Sequence, residues 1–219
     1  MEVYLSLKDH VYNYIAEEIN KGNLKPEEKI NEQKISDLLN ISRTPVREAL
    51  IQLASEGFLE NVPRKGFLIR PLSEKEAGEI YLILGVLDGL AVSLACPRIT
   101  EKEIRDMQFY IGSMSLAIDS GNFDMYYRQQ EEFHQIYLNL CGNESLINLM
   151  NRTKKKFLKK SYIMDVGDAA DDNVKEVLRS TNDEHRTMLT LFEQKNALEL
   201  ERFMKEVHWK PDLAYMETI

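Results

Sequence analysis

Apolar residues recur at three- and four-residue spacing from the start of the chain, the period of a helix buried on one face. Val11, Tyr14, Ile15 and Ile19 predict a first helix from Ser6 to Asn20, ending at Lys21-Gly22-Asn23. A turn through Lys25-Pro26 follows. Asn31 is placed to cap a second, two-turn helix with Ile35, Leu38 and Leu39 facing inward, and Asn40 is suited to the left-handed conformation of a tight turn. Ser42 caps a third helix with Pro45 in its first turn and a buried stripe of Val46, Ala49, Leu50 and Leu53, stopping at Gly57. The period then changes: Phe58-Leu59-Glu60-Asn61 and Phe67-Leu68-Ile69-Arg70 read as two strands joined through Val62-Pro63-Arg64-Lys65-Gly66. Helix, turn, helix, hairpin is the order of a winged helix-turn-helix.

Beyond Ser73 the helical period is nearly unbroken. Six helices are expected: Glu74 to Ala95, Thr100 to Ser120, Asn122 to Cys141, Ser145 to Met164, Asp172 to Gln194 and Asn196 to Lys210. Short Gly, Pro or Asn punctuation between them suits an antiparallel bundle. The expected fold is therefore mainly α, with a winged helix-turn-helix of three helices and a β-hairpin over residues 1–72 and an all-α antiparallel bundle over residues 73–219.

Composition narrows the function classes. The longest apolar run, Ile80 to Ala95, is interrupted by Asp88 and Gly89, and no basic and apolar leader precedes the first helix, so a soluble, cytoplasmic protein without a membrane partner is expected. Cys96 and Cys141 lack a paired spacing and are expected to be reduced, partly buried thiols. The net charge of −8 excludes a protein that coats nucleic acid without specificity. Residues 1–71 hold ten Lys/Arg and eleven Asp/Glu against eighteen and twenty-five in the remainder, a partition of −1 and −7, so any DNA binding must be local.

The local candidate is Ser42-Arg43-Thr44-Pro45-Val46-Arg47, at the start of the third helix, where a recognition helix offers side chains to the major groove. Arg43 and Arg47 lie four apart on one face; an Arg fork matches guanine O6 and N7, while Ser42, Thr44 and free helix N–H groups suit phosphate oxygens. Two arginines on a short helix are also ordinary surface groups. The balance shifts with the second basic cluster, Arg64-Lys65-Gly66, at the hairpin tip, to which Arg70 adds a further charge. The denser run Arg152, Lys154, Lys155, Lys156, Lys159 and Lys160 reads as a solvated helix face over a stripe of Phe157, Leu158, Tyr162 and Ile163. Phe123, Tyr126, Tyr127, Phe133 and Tyr137 read as core.

Three of the four histidines, His134, His185 and His208, fall on different helices of the bundle, each on an apolar face, and inward-facing imidazoles need partners. Taken singly each reads as a satisfied core histidine, because no local His-x-x-x-His spacing is present; taken together they could hold a metal.

The string from Asn31 to Leu50, and Ser42-Arg43-Thr44-Pro45-Val46-Arg47-Glu48-Ala49-Leu50 above all, resembles the signature of the GntR family of bacterial transcription regulators. The resemblance implies operator contacts at Ser42, Arg43, Thr44 and Arg47 and a wing at Lys65 and Gly66 beside Arg64. Gln33 stands where relatives often carry a DNA-contacting arginine, and is expected to touch a phosphate. Gln130-Glu131-Glu132-Phe133-His134, Cys141-Gly142-Asn143, Glu184-His185 and His208 resemble the ordered landmarks of the FCD effector domain of the FadR subfamily, in its six-helix, VanR-like form. That resemblance implies a divalent metal of the zinc or nickel class on His134, His185 and His208, with Gln130 where the family has an aspartate as fourth ligand; Glu131 could replace it only by turning its helix face. It also implies an anion-binding arginine four residues before an acid in the first bundle helix; aligned on Asp88, this chain has Leu84 there.

The implied function is a regulator, acting as a repressor or activator, whose homodimer sits on palindromic operator DNA and whose binding is controlled by a small effector near the histidine cluster, a metabolite such as an organic acid. Two alternatives stay open: a metal-dependent enzyme using the three histidines, and a metal-free regulator sensing an acyl ligand.

Overall fold

The computed structural model describes residues 6–20, 23–24, 27–57, 59–70, 72–154, 168–212 and 214. They form two compact units, one from residues up to Ala77 and one from Gly78 onward. The expected turn at Lys25-Pro26, Phe58, and the second half of the helix expected to reach Met164, with Lys155, Lys156, Phe157, Leu158, Lys159, Lys160, Tyr162 and Ile163, lie outside the described residues.

In the first unit, α1 (Leu7–Asn20), α2 (Glu32–Leu39) and α3 (Arg43–Ser55) precede a hairpin of β1 (Leu59–Val62) and β2 (Gly66–Ile69). The starts of α1 and α2 have a visible cause. Ser6 and Asp9 exchange backbone and side-chain hydrogen bonds at the head of α1, and the Asn31 side chain accepts from the backbone N–H groups of Gln33 and Lys34 at the head of α2. Asn40 closes α2 at φ 51°, ψ 45°, the left-handed cap the sequence expects. The strands pair antiparallel with Leu59 opposite Ile69 and Val62 opposite Gly66. Lys29 bridges to Leu68, so the chain before α2 flanks the hairpin.

The core of this unit is Val11, Ile15, Ile30, Ile35, Val46, Ala49, Leu50, Leu53, Leu59, Phe67 and Ile69. The α3 stripe is as expected, and fully burying a side chain such as Leu50 stabilises by about 1.5–3 kcal/mol. Leu38 is a correction: it is 59% exposed instead of inward. A two-turn helix packed against α3 has one buried edge, and Ser36 occupies it, its hydroxyl donating to the Ile41 carbonyl.

The second unit holds α4 (Glu74–Ala95), a 3₁₀ turn (Cys96–Arg98), α5 (Glu101–Asp119), α6 (Phe123–Cys141), α7 (Glu144–Lys154), α8 (Asp168–Glu193), α9 (Ala197–Phe203) and a π-helical turn (Met204–His208); the first turn of α4 belongs to the first unit. Helix α5 packs on α6 and α8. A capping box of Thr100 and Glu103 starts α5, and Asn122 and Asn196 cap α6 and α9. Gly142, at φ 67°, ends α6, and Arg98 donates to the freed carbonyls of Leu140 and Cys141. Cys96 and Cys141 are both buried free thiols.

Helix α4 is apolar and long enough to cross a membrane on those criteria alone, but 56% of its most apolar window is buried within the protein. Gly85 and Gly89 bring it against the stretch from Glu201 to Lys205: a Cβ at Gly85 would stand 3.3 Å from Lys205 Cα, and one at Gly89 would stand 3.1 Å from the Glu201 carbonyl oxygen. The helix expected from Asn196 to Lys210 is thus two pieces, α9 and the π turn, against the Gly85 and Gly89 face.

Candidate functional site

The start of α3, the start of α2 and the hairpin turn meet around a cleft of about 600 Å³. Gln33, Arg43, Arg47, Arg64, Lys65 and Gly66 all line it; Ser42 and Thr44 do not, though both are exposed at the same helix end. The wing turn is fixed by a bond from the Lys65 N–H to the Val62 carbonyl and by positive φ at Arg64 and Gly66, 67° and 92°. Ser42 occupies the N-cap position in extended conformation, but its hydroxyl makes no capping bond, so it leaves the first-turn N–H groups of α3 facing outward for an anion.

Within the cleft, Arg43 Nε donates to Gln33 Oε1, and Gln33 Nε2 donates to Asp37. Arg47, with 66% of its side chain exposed, stands 3.8 Å from Glu32. Lys29 also lines the cleft and was not singled out by the sequence; its signal is spatial, through the bridge to Leu68. Five cations thus face one carboxylate, Glu32, in a stretch whose formal charge is −1. Arg70 is a correction to the basic wing: it is paired with Glu76.

In the second unit His134 from α6, His185 from α8 and His208 from the π turn converge. Their ligand nitrogens lie within 4.8 Å of one another, and His134 Nε2 is 3.1 Å from His185 Nε2. Burial, reinforced by each other and by Lys154, holds His134 well below the ordinary imidazole value; burial and the neighbouring charge of His208 do the same to His185. Both rings are therefore neutral, the form that binds a metal. Glu184 Oε2 is 2.8 Å from His208 Nδ1, which orients that ring and leaves its other nitrogen for a ligand.

The donor set fits a divalent metal. Two imidazole nitrogens ~2.05 Å from a tetrahedral zinc stand roughly 3.3 Å apart, close to the observed separation, and three histidines leave one position open. Without a metal one Nε2 must donate to the other, and His185 Nδ1 is buried with no hydrogen-bond partner, so the cluster does not satisfy itself. Gln130, half-buried, lies one turn before His134 on the same face of α6; Glu131 is exposed. Among the described residues no carboxylate joins the mutually close group.

Beside the cluster, Asp88 of α4 is fully buried and accepts from Tyr137 Oη and Trp209 Nε1, both at 2.8 Å. Leu84, one turn earlier, is likewise buried. Lys154, at the end of α7, is half-buried with its Nζ 5.3 Å from the centroid of the Trp209 ring. This corrects the reading of Lys154 as a solvated face. The expected core aromatics Tyr126, Tyr127, Phe133 and Tyr137 are buried, and Phe123 is half-buried.

Residues 7–69 match the model of the gntR family of bacterial regulatory proteins, and residues 79–208 match that of the FCD domain. The chain belongs to the GntR family, with an FCD domain. It is 34% identical over 140 residues, 64% of its length, to the HTH-type transcriptional regulator YdhC of Bacillus subtilis. It is 33% identical over 132 residues, 60% of its length, to the Nta operon transcriptional regulator of Aminobacter aminovorans. The match spans 62% of each relative. The solved structure of Escherichia coli McbR/YncC superposes with a TM-score of 0.73 at 21% identity, covering 97% of both chains, which shows the shared fold. These are domains and relatives of transcription regulators, and the three-histidine metalloenzyme is set aside on that ground.

Proposed function

We propose that this GntR-family protein is a cytoplasmic transcription regulator of the repressor type that binds palindromic operator DNA as a homodimer and releases or engages it in response to a small effector. The observation that carries the DNA half is the convergence of Gln33, Arg43, Arg47, Arg64 and Lys65 on one cleft, with the open N-terminus of α3 at its edge. Arg43 and Arg47 read base edges; Ser42, Thr44, Lys65 and Lys29 hold phosphates. Gln33 acts by holding Arg43 as well as by touching the backbone.

The dimer is supported by apolar side chains left exposed on the second unit: Leu82, Ile83, Val86 and Leu90 along α4, and Phe109 and Leu116 along α5. Stripes of that size on a folded unit suit a second copy. The sensing half rests on the three buried histidines, which would hold a divalent metal of the zinc or nickel class with Gln130 or water completing it. Such a metal would supply a Lewis-acid docking point for an anionic effector. Tyr137 and Trp209 pack against the rings of His134 and His208, and Glu184 orients His208. The metal-free acyl sensor of the sequence reading has no observation in its favour: the neutral, converging imidazoles are polar groups an acyl chain would leave unpaired.

A mobility-shift assay with the intergenic DNA upstream of the gene tests the first half, with Arg43→Ala and Arg47→Ala as controls. Binding that is unchanged in both variants sinks the regulator reading. Elemental analysis of wild type against His134→Ala tests the second.

A further inference from the structure

Helix α8 carries two buried polar side chains one turn apart, Asn182 and His185, and each keeps one atom without a hydrogen-bond partner: Asn182 Oδ1 and His185 Nδ1. The amide cannot turn over to relieve this. Its Nδ2 stands 3.1 Å from the Ile111 carbonyl oxygen and 2.9 Å from Ser115 Oγ, both on α5. A carbonyl only accepts, and the Ser115 hydroxyl already donates to that same carbonyl, so both contacts require the NH₂ end and leave Oδ1 as an open acceptor. The ring has the opposite need. His134 Nε2 and His185 Nε2 face each other at 3.1 Å, so Nε2 is the nitrogen that His185 turns to the cluster. A neutral imidazole that offers its Nε2 lone pair to a cation carries its proton on Nδ1, and that proton needs an acceptor. His208 has one in Glu184; His185, the most deeply buried of the three, has none in direct contact. Side chains three apart on a helix have Cβ atoms about 5–6 Å from each other, and one water spans the gap left between two short polar groups at that spacing. The buried Tyr126 hydroxyl is a rival donor near this turn, and it has Thr181 beside it.

We propose that Asn182 is a positioning residue for His185: its Oδ1 accepts the Nδ1 proton of that ring through one bridging water and so holds Nε2 as the ligating nitrogen. This rests on the metal reading of the histidine cluster above. Asn182 is then the neutral counterpart of Glu184, which does the same for His208 through a direct contact. A single turn of α8, from Asn182 to His185, supplies one ligand and the acceptors that orient two.

The test is a zinc titration of the purified full-length protein against a competing chelator, with thermal melts of the metal-free forms to follow the fold. Asn182→Asp keeps an acceptor and loses the donor to α5; Asn182→Leu loses both. Both variants are expected to melt below wild type, because both give up the bonds to Ile111 and Ser115. Zinc affinity is expected to separate them: Asn182→Asp binds at least as tightly as wild type, while Asn182→Leu falls about 10–100-fold, the range for losing the outer partner of a ligating histidine. Unchanged affinity in Asn182→Leu overturns the proposal. An equal loss in both variants overturns it too, because the amide would then act only by holding α5. Should Asn182→Leu fail to fold, nitrogen-15 NMR of the zinc-loaded wild type decides: a His185 proton on Nδ1, protected from exchange, is expected, and a ring protonated on Nε2 and ligating through Nδ1 overturns the proposal. If wild type binds zinc no more tightly than His134→Ala, the metal reading fails and the proposal with it. Binding that needs His134 and is indifferent to Asn182 removes the proposal alone.

Discussion

In the cleft of the first unit the polar groups stay wet: Arg47 keeps two-thirds of its side chain in solvent, and its ion pair with Glu32 is loose. In the second unit His185 has no exposure and His134 and His208 have 9% each. The cleft's arginines need only exchange one weak partner for phosphate or a base edge, because exposed pairs are worth about 0–1 kcal/mol. The imidazoles have already lost water, and a group in that position is stabilised only by what fills the space between them. DNA affinity should therefore respond to salt and to single charges, and the sensing cluster to pH and to metal.

The largest break in that contrast comes from removing both reading arginines. Arg43→Ala with Arg47→Ala is expected to weaken operator binding by about 2–6 kcal/mol in a shift assay, at 1–3 kcal/mol for each bidentate contact. Metal content should be unchanged, since the substitutions lie in the other unit. Next, in metal-free protein, acid should destabilise the second unit. The folded values of His134 and His185 lie below their unfolded ones, so the unfolded chain takes up protons first as pH falls below about 6.5. Stability is complete above that pH and is lost below it, by up to about 1.4 kcal/mol per pH unit for each imidazole. Denaturant melts from pH 7.5 to 5 check the slope; replacing both with Leu should flatten it.

Zinc added to about one hundred times its Kd should stabilise the second unit by about 2.7 kcal/mol in wild type and leave His134→Ala unmoved, read by thermal melting. Thr100→Ala, which removes the capping box of α5, should cost about 1 kcal/mol of stability without altering DNA or metal binding. Smallest is Gln33→Ala: loss of one solvent-exposed bond from the Arg43 guanidinium should lower operator affinity by about 0.5–1 kcal/mol while leaving the salt slope as it was, because Gln33 is uncharged and neutralises no phosphate.

The cleft was legible in sequence because its parts are local: a cap at Asn31, a left-handed Asn40 and a proline in the first turn of α3 fix the segment that carries Arg43 and Arg47. The histidines were legible because each sits on the apolar side of a long helix, and three such sides must meet in one core. Their surroundings were not. Asp88 and Trp209 are 121 residues apart, and no periodicity links them. Lys154 lies in a run of like charges that composition assigns to solvent, and Leu38 shared the period of Ile35 on a short helix that packs on α3 along one edge. Arg70 differed for a similar reason, since Glu76 comes within reach only once α4 has formed.

The wide turn from Met204 to His208 has a consequence for how this protein's relatives should be compared with it. A π turn accommodates one residue more than a regular turn of helix, so it behaves as an insertion that the fold has absorbed without a loop. A relative of the same length in which this turn stayed regular helix would carry the ring at 208 roughly 100°, one residue's rotation, away from the other two. Such a chain would keep every histidine in its alignment column and still have no place where three of them meet.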